Sequence, residues 1–219
     1  MTTENKRKKL IVTVTGASAA GKDTLVDSIL CLTNPDKTPV PGTLPAYCKE
    51  QLSAIPCSAI ELISHTTRSP RAGEINGVDY YFVDKSEIED LAKVEYTEYA
   101  GNQYSLAVAE LERIKDVGLV IVDKHGVSCI EEFVNNHSDE YALFTIFLAC
   151  TEDIARQRML SRGDSVESVE RRLAQHRERN EYSTGSRSFS LVVGIMSEDP
   201  AVYAQTVSAI TTDILAARV

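Results

Sequence analysis

The chain has 219 residues, 43% of them hydrophobic, and a formal net charge of −9. This length and composition suit one domain, divided at most into subdomains, around a real core. The acidic balance excludes a general binder of nucleic acid or anionic membrane, because a phosphate backbone selects a basic face, but it leaves room for a small anion in a local basic pocket.

Residues 1–9, MTTENKRKK, are polar and basic, and the apolar run after them has only the length of a strand. Neither a secretory leader nor a membrane span is expected. LIVTVTG (Leu10–Gly16) is β-branched and ends in glycine, as a buried parallel strand does. GKDTLVDSILCL follows with helical spacing at Leu25, Ile29 and Leu30. Thr33–Pro45, TNPDKTPVPGTLP, carries four prolines and reads as a loop. SAIELIS is a second strand. From Gly73 to Tyr104 short strands and turns surround one helix, KSEIEDLAKV. VGLVIVDKHG and YALFTIFLAC are further buried strands with polar carboxyl ends. Thr151 starts a helix with acids in its first turn, SVESVERRLAQHRERNEY is a charged helix, SFSLVVGIM a last strand, and residues 199–219 a closing amphipathic helix. Strands alternating with helices predict an α/β fold with a parallel sheet covered on both faces.

The five cysteines (Cys31, Cys48, Cys57, Cys129, Cys150) are odd in number and form no CxxC pair, so reduced thiols and a cytoplasmic location are expected. The four histidines form no ligand cluster.

GASAAGKDT sits between a strand and a helix and fits the GxxxxGK pattern. Gly16, Ala17, Ser18, Ala19, Ala20 and Gly21 are small enough for the backbone to wrap phosphate oxygens with N–H groups. The helix N-terminus adds partial positive charge and Lys22 a whole one. The next position, where a hydroxyl would ligate Mg²⁺, is Asp23, followed by Thr24.

SHTTRSPRAGEINGVDYYF (Ser64–Phe82) has nothing of a core segment. Arg68 and Arg71 can each clamp a phosphate, and Tyr80 adds a neutral donor. The bland alternative is a solvated loop in which the arginines pair with Glu74 and Asp79.

This segment, extended to Val83, resembles the GMP-binding segment of the guanylate kinase family almost residue by residue. VEYTEYAGNQY (Val94–Tyr104) is similar to the next part of that site, and RQRMLSRGDSVESVERRLAQ to the family's lid. The resemblance runs from about Leu10 to the C-terminus. It implies a P-loop NTPase-type parallel sheet with helices on both faces, a small mixed α/β NMP-binding subdomain at 64–104 and a helical lid at 157–187, with the core at 10–63, 105–156 and 188–219. It implies an ATP-dependent kinase of GMP or dGMP using Mg²⁺. Residues 16–24 would bind ATP. Arg68, Arg71, Tyr80 and Tyr104 would hold the acceptor phosphate, and Ser64 and Glu95 would face guanine. Lys22, Arg158, Arg162 and Arg172 would act on the transferring group, and Asp23, Thr24 and Asp123 would lie at the metal. Arg158 and Arg162, four apart, are placed on one helical face. Arg156, Arg171, Arg177 and Arg179 are read as solvated ion-pair residues. The implied partners are small-molecule nucleotides, with no nucleic acid and no membrane, for a monomer or homodimer.

The sequence departs from the family at Asp23, in about twenty extra residues (33–56), at Leu106 in place of a base-contacting hydroxyl, at Ile121 in place of an aspartate, and in GIMSED in place of an Asn-Asp run. These departures leave two alternatives: a kinase of another or modified nucleoside monophosphate or a sugar phosphate, and a non-catalytic guanylate-kinase-like binding module. The intact Gly16, Gly21 and Lys22 weigh against the second.

Overall fold

The computed structural model describes residues 7–71, 73–99 and 101–218, with only the main chain of Tyr99; residues 1–6 of the basic start lie outside them. Its centre is a five-stranded, wholly parallel sheet. Strand β1 (Lys9–Thr15) pairs with β7 (Val117–Ile121) on one side and β8 (Tyr141–Leu148) on the other. β2 (Ala59–Glu61) extends the sheet beyond β7, and β9 (Leu191–Val193) extends it beyond β8.

Alternation along β1 builds the two sides of the core. Leu10, Val12 and Val14 join one apolar cluster, while Ile11 joins another, because successive strand side chains face opposite ways. The first cluster takes in Leu25 and Ile29 from α1 (Lys22–Thr33), Ala155 and Met159 from α6 (Glu152–Ser161), Leu173 from α7 (Val166–Glu178), and Val207 and Ile210 from α8 (Pro200–Ala216). The second takes Leu111 from α4 (Val108–Glu112) and Ile130 from α5 (Lys124–Asn136). Each buried Val, Leu, Ile or Met side chain among these contributes about 1.5–3 kcal/mol.

A second, mixed sheet spans His65 to Ala107 in the order β4 (Tyr81–Phe82), β3 (His65–Thr66), β6 (Asn102–Ala107), β5 (Lys93–Tyr99), with α3 (Lys85–Asp90) in the connection. Glu110 of α4, 4% exposed, ties it to the core. Its carboxylate accepts from Ile63 N at 2.8 Å and from the Tyr81 hydroxyl at 3.2 Å, and Arg113 pairs with it. Ile63, next to Ser64, and Tyr81, whose N–H donates to Ser64 O at 2.9 Å, are thereby held to α4.

Two expectations change. The proline-rich stretch is not all loop: α2 (Leu44–Gln51) starts inside it, with Pro45 in the first turn, where the missing N–H would have had no helical partner. Arg162 is the C-cap of α6, not a residue of its face. Arg158 reaches Ala19 O and Met196 O, while Arg162 folds onto Asp164 at 2.6 Å, so the two do not share a target. The expected helix start holds, with the Thr151 hydroxyl accepting from Ile154 N.

Candidate active site

The loop between β1 and α1 forms the cradle. At Gly16, φ is +147°, and a Cβ there would lie 2.4 Å from Leu148 O, so no side chain fits. Ala19 has φ +61°, a left-handed backbone that only surrounding structure holds in a non-glycine residue. Arg158 Nη1 donates to its carbonyl at 3.2 Å. Lys22 Nζ donates to Gly16 O at 2.8 Å and Ala17 O at 2.9 Å, and burial lowers its pKa. Ser18 faces the helix pair α6–α7: its N–H points at His176 Nε2, 3.4 Å away, with its hydroxyl 3.0 Å from the same nitrogen. Asp23 is exposed in the first turn of α1, and Thr24 is half-buried behind it.

A cavity of 520 Å³ opens between this loop and the second sheet. Gly16, Ser18 and Lys22 form one wall. Ser64, Tyr80, Glu95, Thr97 and Tyr104 form the facing wall. Ile121, Asp123, Lys124 and His125 close it at the end of β7, and Arg179 and Glu181 approach from beyond α7. The cavity thus lies at the carboxyl end of the parallel strands, where open α/β sheets bind ligands.

Glu95 is 4% exposed, and burial, with Asp123 near by, pushes its pKa up to about 8. The Leu106 N–H donates to its carboxyl and opposes that shift. Asp123 accepts from Gly126 N at 2.8 Å as the cap of α5. Its other oxygen stands 3.5 Å from both the Thr97 hydroxyl and Arg179 Nη1. Burial pushes the Tyr80 hydroxyl up to about 12, keeping it a neutral donor. Leu106 is fully buried in the second apolar cluster.

Arg68 and Arg71 lie beside a second hollow of 410 Å³, with Asn102, Arg171, Arg172 and Gln175; Tyr104 lines both hollows. Arg68 stands over the rings of Tyr80 and Phe82 and makes two 2.9 Å bonds to Glu74. The pairing named as the bland alternative therefore occurs with Glu74, closely for Arg68 and at 3.9 Å for the Arg71 side chain. Asp79 instead accepts from Ile75 N. Arg172 points at Asp164, 3.5 Å away.

Of the residues named from sequence, Gly16, Ser18, Lys22, Ser64, Tyr80, Glu95, Tyr104 and Asp123 meet in one cavity, and Arg68, Arg71 and Arg172 in the adjoining one. Arg156 and Arg177 are the expected ion-pair residues, bound to Glu152 and, for Arg156, also Glu170. Arg171 and Arg179, read the same way, line the two hollows, and Arg179 does so while paired with Asp123 at 3.5 Å. Thr97, Lys124, His125 and Glu181 were missed. For Thr97 a signal existed: it stands two residues from Glu95 and shares its face. Among the described residues no group of three or more His, Cys, Asp or Glu forms a metal cluster, and no helix is long and apolar enough to cross a membrane.

The family model for guanylate kinase matches residues 47–202. The chain is 32% identical over 179 residues to a guanylate kinase of Symbiobacterium thermophilum, covering 78% of this chain and 72% of that one. It is 30% identical over 201 residues to a guanylate kinase of Sus scrofa, covering 88% of each. The crystal structure of guanylate kinase from Anaplasma phagocytophilum superposes on 97% of this chain and 87% of that one, with a TM-score of 0.55 at 19% identity, a likeness of fold. The domain match, the extent of these relatives and the cavity between cradle and second sheet agree: the chain belongs to the guanylate kinase family.

Proposed function

We propose that the protein transfers the γ-phosphoryl group of ATP to GMP or dGMP, giving ADP and GDP or dGDP. The observation that carries this reading is one cavity with the phosphate cradle on one wall and the buried Glu95 on the other. Donor and acceptor sites that share a cavity can bring the reacting groups together without water between them.

Phosphoryl transfer asks the protein mainly for position and charge. The cradle N–H groups and Lys22 hold the donor phosphates. Arg68, Arg71, Tyr80 and Tyr104 hold the acceptor phosphate, with Glu74 orienting Arg68 until it arrives. Ser64 and Glu95 read the base: ionised Glu95 accepts from guanine N1–H and the 2-amino group together. Arg158, Arg162 and Arg172, on a lid at 157–187, approach the transferring group and stabilise its oxygens.

Mg²⁺ bound with ATP neutralises phosphate charge. Asp23, exposed beside Lys22, and Thr24 supply the hard oxygen donors that suit it. Asp123 has one oxygen engaged in the α5 cap and the other facing Arg179. That environment suits it to ordering the acceptor side rather than to direct ligation. All five cysteines are free thiols, in keeping with a reducing cytoplasm.

A second reading, a related or modified nucleoside monophosphate as acceptor, draws on the apolar Ile121 in the cavity wall. A coupled ADP-release assay with GMP, dGMP, AMP, UMP and dTMP separates the two. GMP or dGMP is expected to be best. A pyrimidine preference would remove the guanine assignment, and no turnover with any acceptor would remove the kinase.

A further inference from the structure

We infer that Thr97 is a specificity-determining residue of the acceptor site, its hydroxyl donating to the 6-oxo group of a purine base. The inference deepens the guanine reading above and rests on it.

The cavity has two ends. Tyr80 and Tyr104 pack edge to face at 6.0 Å, and Arg68 stands 5.3 Å from the Tyr80 ring, which marks the phosphate end. Glu95 and Asp123 mark the other. Thr97 lies two residues beyond Glu95 on β5 and therefore on the same face. Its cross-strand partner is Tyr104, and that of Glu95 is Leu106. Leu106 is fully buried among apolar side chains and offers the cavity no polar side-chain atom.

A 6-oxopurine places an acceptor next to the N1–H donor. Ionised Glu95 can take the donor but cannot serve the acceptor, and Asp123 has the same limitation. Ile121, also in the wall, has nothing to donate. Lys124 is committed to Asn180 O at 2.6 Å. His125 is exposed, with Nε2 3.6 Å from Cys129 Sγ. Two hydroxyls remain at this end, Ser64 and Thr97; Thr97 shares the β5 face of Glu95, and its hydroxyl has only a weak commitment, Asp123 Oδ2 at 3.5 Å, the outer limit for a hydrogen bond. That carboxylate oxygen also faces Arg179 Nη1, so the hydroxyl can turn to a ligand without stranding it.

The experiment compares kcat/KM for GMP, IMP and AMP in wild type, Thr97→Val and Thr97→Ser, with affinity by titration calorimetry where turnover is too slow. GMP and IMP carry the 6-oxo group, and AMP carries an amino group there. Thr97→Val should lower GMP and IMP by one common factor, about 10- to 100-fold, through a lost hydrogen bond and an unpaired ligand oxygen. AMP should change little, and Thr97→Ser should stay near wild type. Thr97→Val that leaves GMP unaffected, or lowers AMP by the same factor as GMP, overturns the inference and returns the role to Ser64. A wild type without preference for 6-oxopurines overturns the guanine reading itself, and this inference with it.

Discussion

His176 Nε2 of the α7 helix lies 3.0 Å from the Ser18 hydroxyl and within reach of the Ser18 N–H, while its Nδ1 stands 3.1 Å from the Tyr182 hydroxyl. The ring is fully buried, and burial, with Lys22 and Arg172 near by, lowers its pKa to about 4. A neutral imidazole thus accepts from a cradle group that would otherwise face a phosphate oxygen.

His176→Ala should destabilise the nucleotide-free protein by about 1–3 kcal/mol, since it leaves Ser18 without its acceptor. The loss should shrink when a non-hydrolysable ATP analogue is bound, because a phosphate then takes the Ser18 N–H. Thermal unfolding with and without the analogue measures both, and an equal loss in the two would count against the shared N–H. Because the folded pKa lies below the unfolded 6.5, the stability from His176 is complete above pH 6.5 and is lost as pH falls toward about 4. His176→Gln should flatten that part of the pH profile.

Glu95 behaves in the opposite sense. Its folded pKa, about 8, lies above the unfolded 4.5, so the protonated side chain contributes stability below pH 4.5 that is lost as pH rises through about 8. Glu95→Gln should therefore be relatively more stable than wild type at pH 9. Guanine needs the carboxylate, so GMP binding at pH 7 should release a proton, and kcat/KM for GMP should rise toward pH 8. Calorimetry in buffers of different ionisation enthalpy measures the proton. Identical heats across buffers would contradict a protonated Glu95 in the free protein.

Lys22→Ala should lower kcat by at least roughly 10²–10³-fold, the scale for losing one charge-stabilising group. The fold should remain, because the two bonds of Lys22 go to carbonyls of its own loop rather than between elements of the core. Near-normal turnover in a folded Lys22→Ala protein would remove the kinase assignment. Asp23→Ser should shift the Mg²⁺ concentration for half-maximal rate, and an unchanged titration would leave Asp23 as a helix N-terminal charge alone.

Arg68→Ala and Arg71→Ala should each weaken every acceptor alike, by about 1.5–3 kcal/mol per charge-assisted bond. They should differ in stability. Arg68 is locked to Glu74, which is 16% exposed, whereas the Arg71 side chain is 61% exposed. Arg68→Ala should therefore lower Tm and Arg71→Ala should not. Selective loss of guanine nucleotides in either variant would contradict a phosphate role.

What the sequence by itself determined is what depends on neighbours along the chain. The apolar run of β1, the glycines and lysine of the cradle, the Thr151 cap and the alternation of strands and helices are all local signals, and each appears where it was expected. Even Pro45 was legible as a breaker, though not as the start of α2. Only the tertiary structure decided which distant side chains share the cavity. Arg179, one charge among many on a polar helix, reaches Asp123 because the chain leaving α7 passes the end of β7. His176 meets Ser18 across 158 residues of sequence, Thr97 turns toward Asp123, and Glu95 becomes a weak acid only through burial beside a second carboxylate. A side chain's charge state and its partners depend on what surrounds it in space, and spacing along the chain carries no record of that.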